Sequence, residues 1–531
     1  MIAEPGTIVV SRSSDSWNDF GFQIAIDIRI PSRTGRDLSV RGFLGFVERV
    51  DRNQDTRVLN ALLAVAPDGR LLGDVAPAYF TMLPDMAAYR DLVRTFGPEE
   101  SRKILAELKD IVAADFAGTN RPWLKSVSEM VIFRQAFLRT SEAYFAWKNA
   151  NMLLRGVEFE HVGRLSDELH IEFQLAGRPT PHHLGFTFSM DEAVLPKRFA
   201  VIIGKNGVGK SQTLRRIVDA AIKGLPTLTD RSGGRPVFNR LLAFEPSTTS
   251  SGTFPTEQRR RSKVWYRRFA LNGPGQGRSR QKTADLVVQL VRSTERIRDD
   301  DRFGIFLNSV QAIDAHNELA LIQENSSDQI VLLADIQRGS EQVQLDRYAS
   351  IVVGEDVVRY VGGEVYPLSS GEISFLRFAA LASLHIENSS LLLFDEPETH
   401  LHPNFINQFV VLLDSLLERT GSAAIIATHS AYFVREAFED QVRVLRSEAD
   451  RSVKVEIPRM KTFGADVGAI SFFIFGEDEP SRLAKKVEKD ITSEGRSWDE
   501  VLNIYRDELA PELLGEIRAE IEDDERSKSA G

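Results

Sequence analysis

Apolar residues along this chain fall into two recurring patterns, and their alternation outlines an α/β protein. From 199 to 203 five apolar residues run without a break, as a strand buried on both faces of a sheet does. Residues 241–244, 391–394 and 423–427 repeat that pattern. Helical spacing lies between them. Leu214, Ile217, Val218, Ala221 and Ile222 share one face, as do Phe375, Leu376, Phe378, Ala379 and Ala382. Ile406, Phe409, Val410, Leu413, Leu416 and Leu417 form a third such face. Buried strands exchanging with amphipathic helices predict a mixed sheet flanked by helices.

Outside that core the patterns change. Phe22, Ile24, Ile26, Ile28 and Ile30 alternate with mostly polar neighbours, which predicts a half-buried strand, and residues 42–50 are placed to pair with it. Pro98 opens a helix bearing Ile104, Leu105, Leu108, Ile111 and Val112. Residues 126–151 also have helical spacing, with Phe133, Phe137, Tyr144, Phe145 and Trp147 as core. Strand-like runs follow at 169–175 and 184–188, where Phe186 and Phe188 read as core. Residues 249–345 are more polar, with breakers at 273–275 and 299–301, and read as an inserted lobe. A hairpin turning at Gly362-Gly363 is predicted across 357–366. The expected layout is an additional α+β N-terminal region (1–152), an α/β head in two halves (153–248 and 346–476), the lobe between them (249–345), and a helical acidic tail (477–531).

Composition refines this only in places. A length of 531 residues accommodates two or three domains, and 42% apolar with 27% charged residues is the make-up of a folded globular chain. The absence of cysteine excludes disulfides and thiolate zinc sites. No apolar run approaches the roughly 18–20 residues that cross a bilayer. Residues 1–6 lack the basic and apolar regions of a secretory signal, so a cytoplasmic location without membrane contact is expected. A net charge of −10 argues against wholesale wrapping of nucleic acid. Yet nine Lys and Arg residues and no acid lie between Arg259 and Lys282, with Trp265, Tyr266 and Phe269 interleaved. That cluster reads either as a nucleic-acid contact or as a solvated face. Glu520, Glu522, Asp523, Asp524 and Glu525 make a solvated end.

The candidate chemistry is concentrated where strands end. Gly204-Lys205-Asn206-Gly207-Val208-Gly209-Lys210-Ser211 fits the pattern G-x-x-x-x-G-K-[ST] between a buried strand and a helix. Small residues there let successive N–H groups form an anion nest at a helix N-terminus. Lys210 would reach the β and γ phosphates of ATP, and Ser211 would ligate Mg²⁺. Gln212 follows on the first helical turn and completes the candidate binding set. The strand at 391–394 ends in Asp395 and Glu396, one acid to hold the Mg²⁺ shell opposite Ser211 and one to polarise an attacking water. Leu368-Ser369-Ser370-Gly371-Glu372 opens a helix, either as a second phosphate contact or as a simple N-cap by Ser369 or Ser370. His429 stands at the end of the 423–427 strand, as a γ-phosphate sensor or as a structural residue.

In this order the segments resemble the ABC-type ATPase head, over residues 155–475. The resemblance implies a Walker A at 204–211, a signature at 368–372, a Walker B at 391–395, a catalytic Glu396, a D-loop at 398–403 and a switch His429. The run Asp395-Glu396-Pro397-Glu398-Thr399-His400-Leu401-His402-Pro403 is similar to SMC-like ATPases of DNA repair and bacterial antiphage defence, including the overcoming-lysogenization-defect and Septu ATPases. Residues 462–476 are similar to the closing element of restriction-associated ATPases. No glutamine directly follows the 241–244 strand, which leaves the Q-loop residue open, with Glu245 as a candidate. The interval between P-loop and signature lacks heptads, so a lobe is expected there instead of a coiled-coil arm.

The family closes the signature of one head over nucleotide held by another, which implies that two chains are the minimum unit. Ser369 and Gly371 of one copy would complete the site holding Lys210 and Glu396 of the next. The leading expectation is an ATPase switch that gates a separate effector, a nuclease, in bacterial antiphage defence. A repair or recombination ATPase acting directly on nucleic acid is the first alternative. A nucleotide-stabilised scaffold is the second.

Overall fold

The computed structural model describes residues 8–13, 24–32, 37–47, 79–116, 122–156, 165–175, 177–189, 197–246, 252–257, 262–271, 281–293, 295–298, 300–324, 329–399, 403–475, 482–493 and 495–529. Two compact units divide at Phe463 and Gly464, ahead of the expected boundary at 476.

The head is built on seven strands in the order Trp265–Ala270, Arg240–Glu245, Leu391–Asp395, Ala423–Thr428, Phe199–Gly204, Val442–Ser447 and Val453–Glu456. The first six run parallel and the last antiparallel. This is the expected mixed sheet, flanked by the helices Lys210–Lys223, Ser370–His385 and Pro403–Thr420. Three of the uninterrupted apolar runs are buried at every strand position, as parallel strands covered on both faces must be. Register then levels the strand ends. Asp395 pairs with Ala427, and Thr428 with Ile203, so three motif-bearing loops leave the sheet side by side. Beneath them Phe394 stacks on Phe244 at 5.0 Å and meets Phe378 and Phe409 edge-on. Those contacts dock the helices Ser370–His385 and Pro403–Thr420 onto the sheet.

Among the described residues the stretch expected as a lobe divides among three sheets, the smallest pairing Arg296–Ile297 with Asp300–Asp301. Trp265–Ala270 pairs parallel with Arg240–Glu245 and forms the edge of the head sheet. A separate antiparallel sheet orders Ile330–Leu332, Leu319–Ile322, Val358–Val361 and Glu364–Pro367, so it reaches past residue 345. The last two strands are the expected hairpin, closed by Gly362 and Gly363 at φ 61° and 94°, values open to glycine.

The N-terminal region packs its own core, from Ile8 to Leu154. Ala25–Ile30 pairs antiparallel with Leu38–Phe46 within a four-stranded sheet, and Ile24, Ile26, Ile28 and Ile30 are buried as their alternation requires. Phe22 and residues 48–50 lie outside the described residues. Met86–Glu107 is broken at Gly97 (φ 76°, ψ 163°), so Pro98 opens its second part. The 126–151 segment is helical in pieces (Pro122–Glu129, Phe133–Phe137, Ser141–Asn149), with Phe133, Phe137 and Phe145 fully buried.

In the second unit, Arg482–Ser493, Trp498–Tyr505 and Pro511–Ser529 gather around Ile491, Val501, Ile517 and Ile521. Glu520 is exposed, whereas the side chains of Asp523, Asp524 and Glu525 lie outside the described residues. Among the described residues, no helix is long and apolar enough to cross a membrane.

Candidate nucleotide site

The site forms at the carboxyl ends of Phe199–Gly204, Ala423–Thr428 and Leu391–Asp395. After the first strand the chain turns through Gly207 (φ 78°) and Gly209 (φ 107°), a backbone that a Cβ would strain. Around Gly207 there is open space where a side chain would stand, whereas a Cβ on Gly204 would lie 2.4 Å from the Leu445 carbonyl oxygen. The turn feeds Lys210–Lys223, whose first backbone N–H groups have no intrahelical acceptor.

Lys210 Nζ donates to the Gly204 carbonyl (2.9 Å), the Lys205 carbonyl (3.2 Å) and His429 Nδ1 (3.1 Å). Since Nδ1 accepts, the neutral ring carries its proton on Nε2, which donates to Glu396 Oε1 at 2.7 Å. Ser211 Oγ donates to Asp395 Oδ1 at 2.8 Å, and Thr253 Oγ1 donates to Asp395 Oδ2. Glu396 leaves its strand with φ 46°, in the left-handed region, its N–H held by the Ala427 carbonyl at 2.8 Å. Glu398 Oε1 accepts from Thr428 Oγ1 and from the His429 N–H, both at 2.7 Å.

Burial sets the electrostatics. It pulls the Lys210 ammonium below its ordinary pKa, against the opposing pull of Glu396, Glu398 and Asp395. Burial likewise raises the Asp395 carboxyl, in part offset by the Thr253 and Ser211 hydroxyls. Glu398 is raised by burial too. The residues present fit a magnesium nucleotide. Ser211 and Asp395 offer hard oxygen donors a hydrogen bond apart, and the glycine turn leaves a cradle lined by N–H groups.

Among the other expected binding residues, Lys205, Asn206 and Gly207 are exposed on the turn, Val208 is buried, and Gln212 is exposed on the helix. At the signature, Ser369 is the N-cap of Ser370–His385, accepting from the Glu372 N–H at 3.3 Å. Glu372 Oε2 takes the Ser369 N–H and hydroxyl in return, and Arg359 holds Glu372 Oε1 at 2.5 Å. Burial works against it, yet Ser369 and Arg359 keep the Glu372 carboxyl below its usual range. Ser369 and Ser370 are exposed and Gly371 is buried. In the D-loop stretch, His400, Leu401 and His402 lie outside the described residues.

Glu245 is 1% exposed, so it meets the site through the following loop and not directly. Its Oε2 takes the Phe254 N–H at 3.4 Å, and a Cβ on Gly252 would lie 2.9 Å from the same oxygen. This packing is what brings Thr253 onto Asp395. The interleaved aromatics of the basic cluster are also committed. Tyr266 and Phe269 are buried, and Trp265 lies beneath Arg240 and Arg267. Arg268 donates to the Phe254 carbonyl, and Lys282 pairs with Asp356 at 2.5 Å. Arg259, Arg260, Arg261, Arg278 and Arg280 lie outside the described residues.

The family profile described as "AAA domain, putative AbiEii toxin, Type IV TA system" matches residues 362–435. That segment runs from just before Ser369 to just beyond His429. Protein ea59 of Escherichia phage lambda is 22% identical over 87% of this chain and 85% of its own length. The UvrABC system protein A of Chlamydia muridarum is 34% identical over 77 residues, 14% of this chain and 4% of the relative. Among solved structures, the SMC head domain from Thermotoga maritima is covered in full by 56% of this chain, at 15% identity and a TM-score of 0.27. Family match and site geometry together support a P-loop ATPase.

Sequence reasoning missed three residues that shape the site. Arg178 donates to the Gly207 carbonyl at 2.9 Å and to the Arg451 carbonyl at 2.8 Å, which ties the P-loop to the end of the neighbouring strand. Thr253 and Arg359 act through Asp395 and Glu372. None of the three belongs to a spacing pattern, so only proximity reveals them.

Proposed function

We propose that this chain is an ATPase whose copies close in pairs on nucleotide, with the Ser369–Glu372 turn of one covering the P-loop of the other. The observation that carries the reading is the convergence, from three separate loops, of Ser211 on Asp395 at 2.8 Å and of Lys210 and Glu396 on the two nitrogens of His429. The turn 204–209 and Lys210 would hold the phosphates of ATP, and Ser211 and Asp395 would hold Mg²⁺. When bound, they supply the phosphoanhydride bond to be cleaved and the charge that offsets its oxygens. Glu396 then accepts the proton of the attacking water, and His429 keeps that carboxylate oriented. Ser369 and Ser370, exposed at a helix N-terminus, are free to face a second copy. Steady-state hydrolysis of Mg-ATP, together with the molar mass in solution with and without nucleotide, tests this. Turnover that Lys210→Ala leaves unchanged, or a mass that never rises with Glu396→Gln and ATP, would sink it.

The closing cycle gates a separate effector, a nuclease in antiphage defence. Support comes from the resemblance of 395–403 to defence ATPases and from a matched family named for a toxin–antitoxin system. Co-purification with the product of the neighbouring gene, and nuclease activity that depends on ATP, test this part. The alternative of direct nucleic-acid binding loses the support of Tyr266 and Phe269, which are buried in the head, while Trp265 is half-buried beneath Arg240 and Arg267.

A further inference from the structure

Glu398 lies two residues beyond Glu396 in the turn that follows Leu391–Asp395. The positive φ at Glu396 turns the chain, and both acids then meet the end of the adjacent strand Ala423–Thr428. Glu396 takes the ring of His429. Glu398 takes its backbone N–H and the Thr428 hydroxyl, both on Oε1. Thr428 Oγ1 in turn accepts the Ser430 N–H at 2.9 Å, and Ser430 caps Ala431–Arg435. Two acids of one turn therefore hold one histidine, by side chain and by main chain.

From this geometry we infer that Glu398 is a positioning residue, setting the distance between His429 and Glu396 through the two hydrogen bonds it accepts at Oε1. The inference rests on the ATPase reading above. A turn alone does not need this carboxylate. Its other oxygen, Oε2, is buried and finds no hydrogen-bond partner among the described residues, an arrangement that costs stability wherever it stands. The return lies in the strand end. Without Oε1 the Thr428 hydroxyl and the His429 N–H would lose their shared acceptor, and the segment carrying the ring would loosen. Misplacement by about 1 Å is enough to slow a positioned reaction by roughly 100-fold. Among the described residues no hydrogen bond joins Glu398 to the P-loop, so the effect is expected mainly in turnover and less in nucleotide affinity.

Full-length protein with Mg-ATP provides the test, with turnover measured beside the Kd for a fluorescent ATP analogue. Glu398→Ala is expected to lower kcat about tenfold or more and to leave Kd within about threefold. Glu398→Gln keeps a carbonyl oxygen as acceptor and is expected to stay within about threefold of wild type in kcat. Wild-type kcat in the alanine variant, or equal loss in both variants, would overturn the assignment. Should the alanine variant not fold, Thr428→Val removes one of the two donors and is expected to lower kcat about threefold at constant Kd. Unchanged kcat there would overturn it equally. Wild-type protein that binds the analogue without any turnover would instead refute the ATPase reading itself.

Discussion

The two ends of the head sheet use the same kinds of charged residue to opposite effect. At the amino ends, Arg198 meets Asp414 and Glu418 at 2.9 and 3.1 Å, and Arg240 meets Glu142 at 3.2 Å. Glu387, just ahead of Leu391–Asp395, sits between Arg302 at 2.7 Å and Arg90 at 3.3 Å, all three buried. Burial alone would raise its carboxyl, yet the two arginines bring it down to about 2. At the carboxyl ends burial prevails, raising Asp395 and Glu398 and lowering Lys210, whereas at the amino ends it prevails at Glu142 but not at Glu387. One end is neutralised inside the fold and acts as a frame. The other leaves its charges incompletely matched, the condition under which a charged ligand is favoured.

Substitutions at the two ends should therefore fail differently. Lys210→Ala is expected to abolish nucleotide-dependent turnover, by about 1,000-fold or more, with thermal unfolding little changed. Glu396→Gln should lower kcat by at least about 100-fold, retain nucleotide binding and accumulate as a dimer in gel filtration with ATP. Glu387→Ala strands two buried arginines and should cost about 3–5 kcal/mol in denaturant unfolding. An unfolding cost as large for Lys210→Ala as for Glu387→Ala would erase the distinction between the ends.

The frame also makes a pH prediction. Burial, with Arg267, Arg240 and Arg302 nearby, lowers His385 to about 3, so the folded ring stays neutral while the unfolded one takes a proton below its usual 6.5. Stability is lost on that account as pH falls from about 6.5 toward 3. Glu142, which burial raises to about 7 from 4.5, binds its proton first in the folded state and adds stability as pH falls across that interval. Glu387 then removes stability below about 4.5. In His385→Phe the first contribution vanishes, so the loss of stability between about pH 6.5 and 4.5 should be smaller, or the gain larger, than in wild type. A wild-type profile in the variant would refute the assignment. The smallest effect is expected from half-buried Arg178, whose replacement by alanine should raise the KM for ATP about threefold through a looser Gly207 turn.

Much of the head was legible in advance because its signals are local. Uninterrupted apolar runs do mark the buried strands, and Gly207, Gly209, Gly362 and Gly363 stand where φ is positive. The polar 249–345 stretch misled because Trp265–Ala270 is an edge strand, where arginines can fringe a buried face. Glu245 is a candidate in the Q-loop place because it stands at a strand end where no glutamine directly follows. Its near-complete burial follows from packing by Phe254 and Arg268, residues that no spacing rule connects to it.

By itself the sequence determined which residues could bind phosphate and metal, since a glycine turn, a helix start and an acid at a strand end are encoded within a few positions. It also determined the mixed sheet, through runs too apolar to face water. Only the tertiary structure decided that Lys210 and Glu396 share one imidazole, that Thr253 reaches Asp395, and that Glu398 holds the strand bearing His429. These pairings depend on strand order and register, which join residues more than a hundred positions apart or bring two loop ends level. No local pattern carries such information, because it is the sheet that sets which loops become neighbours.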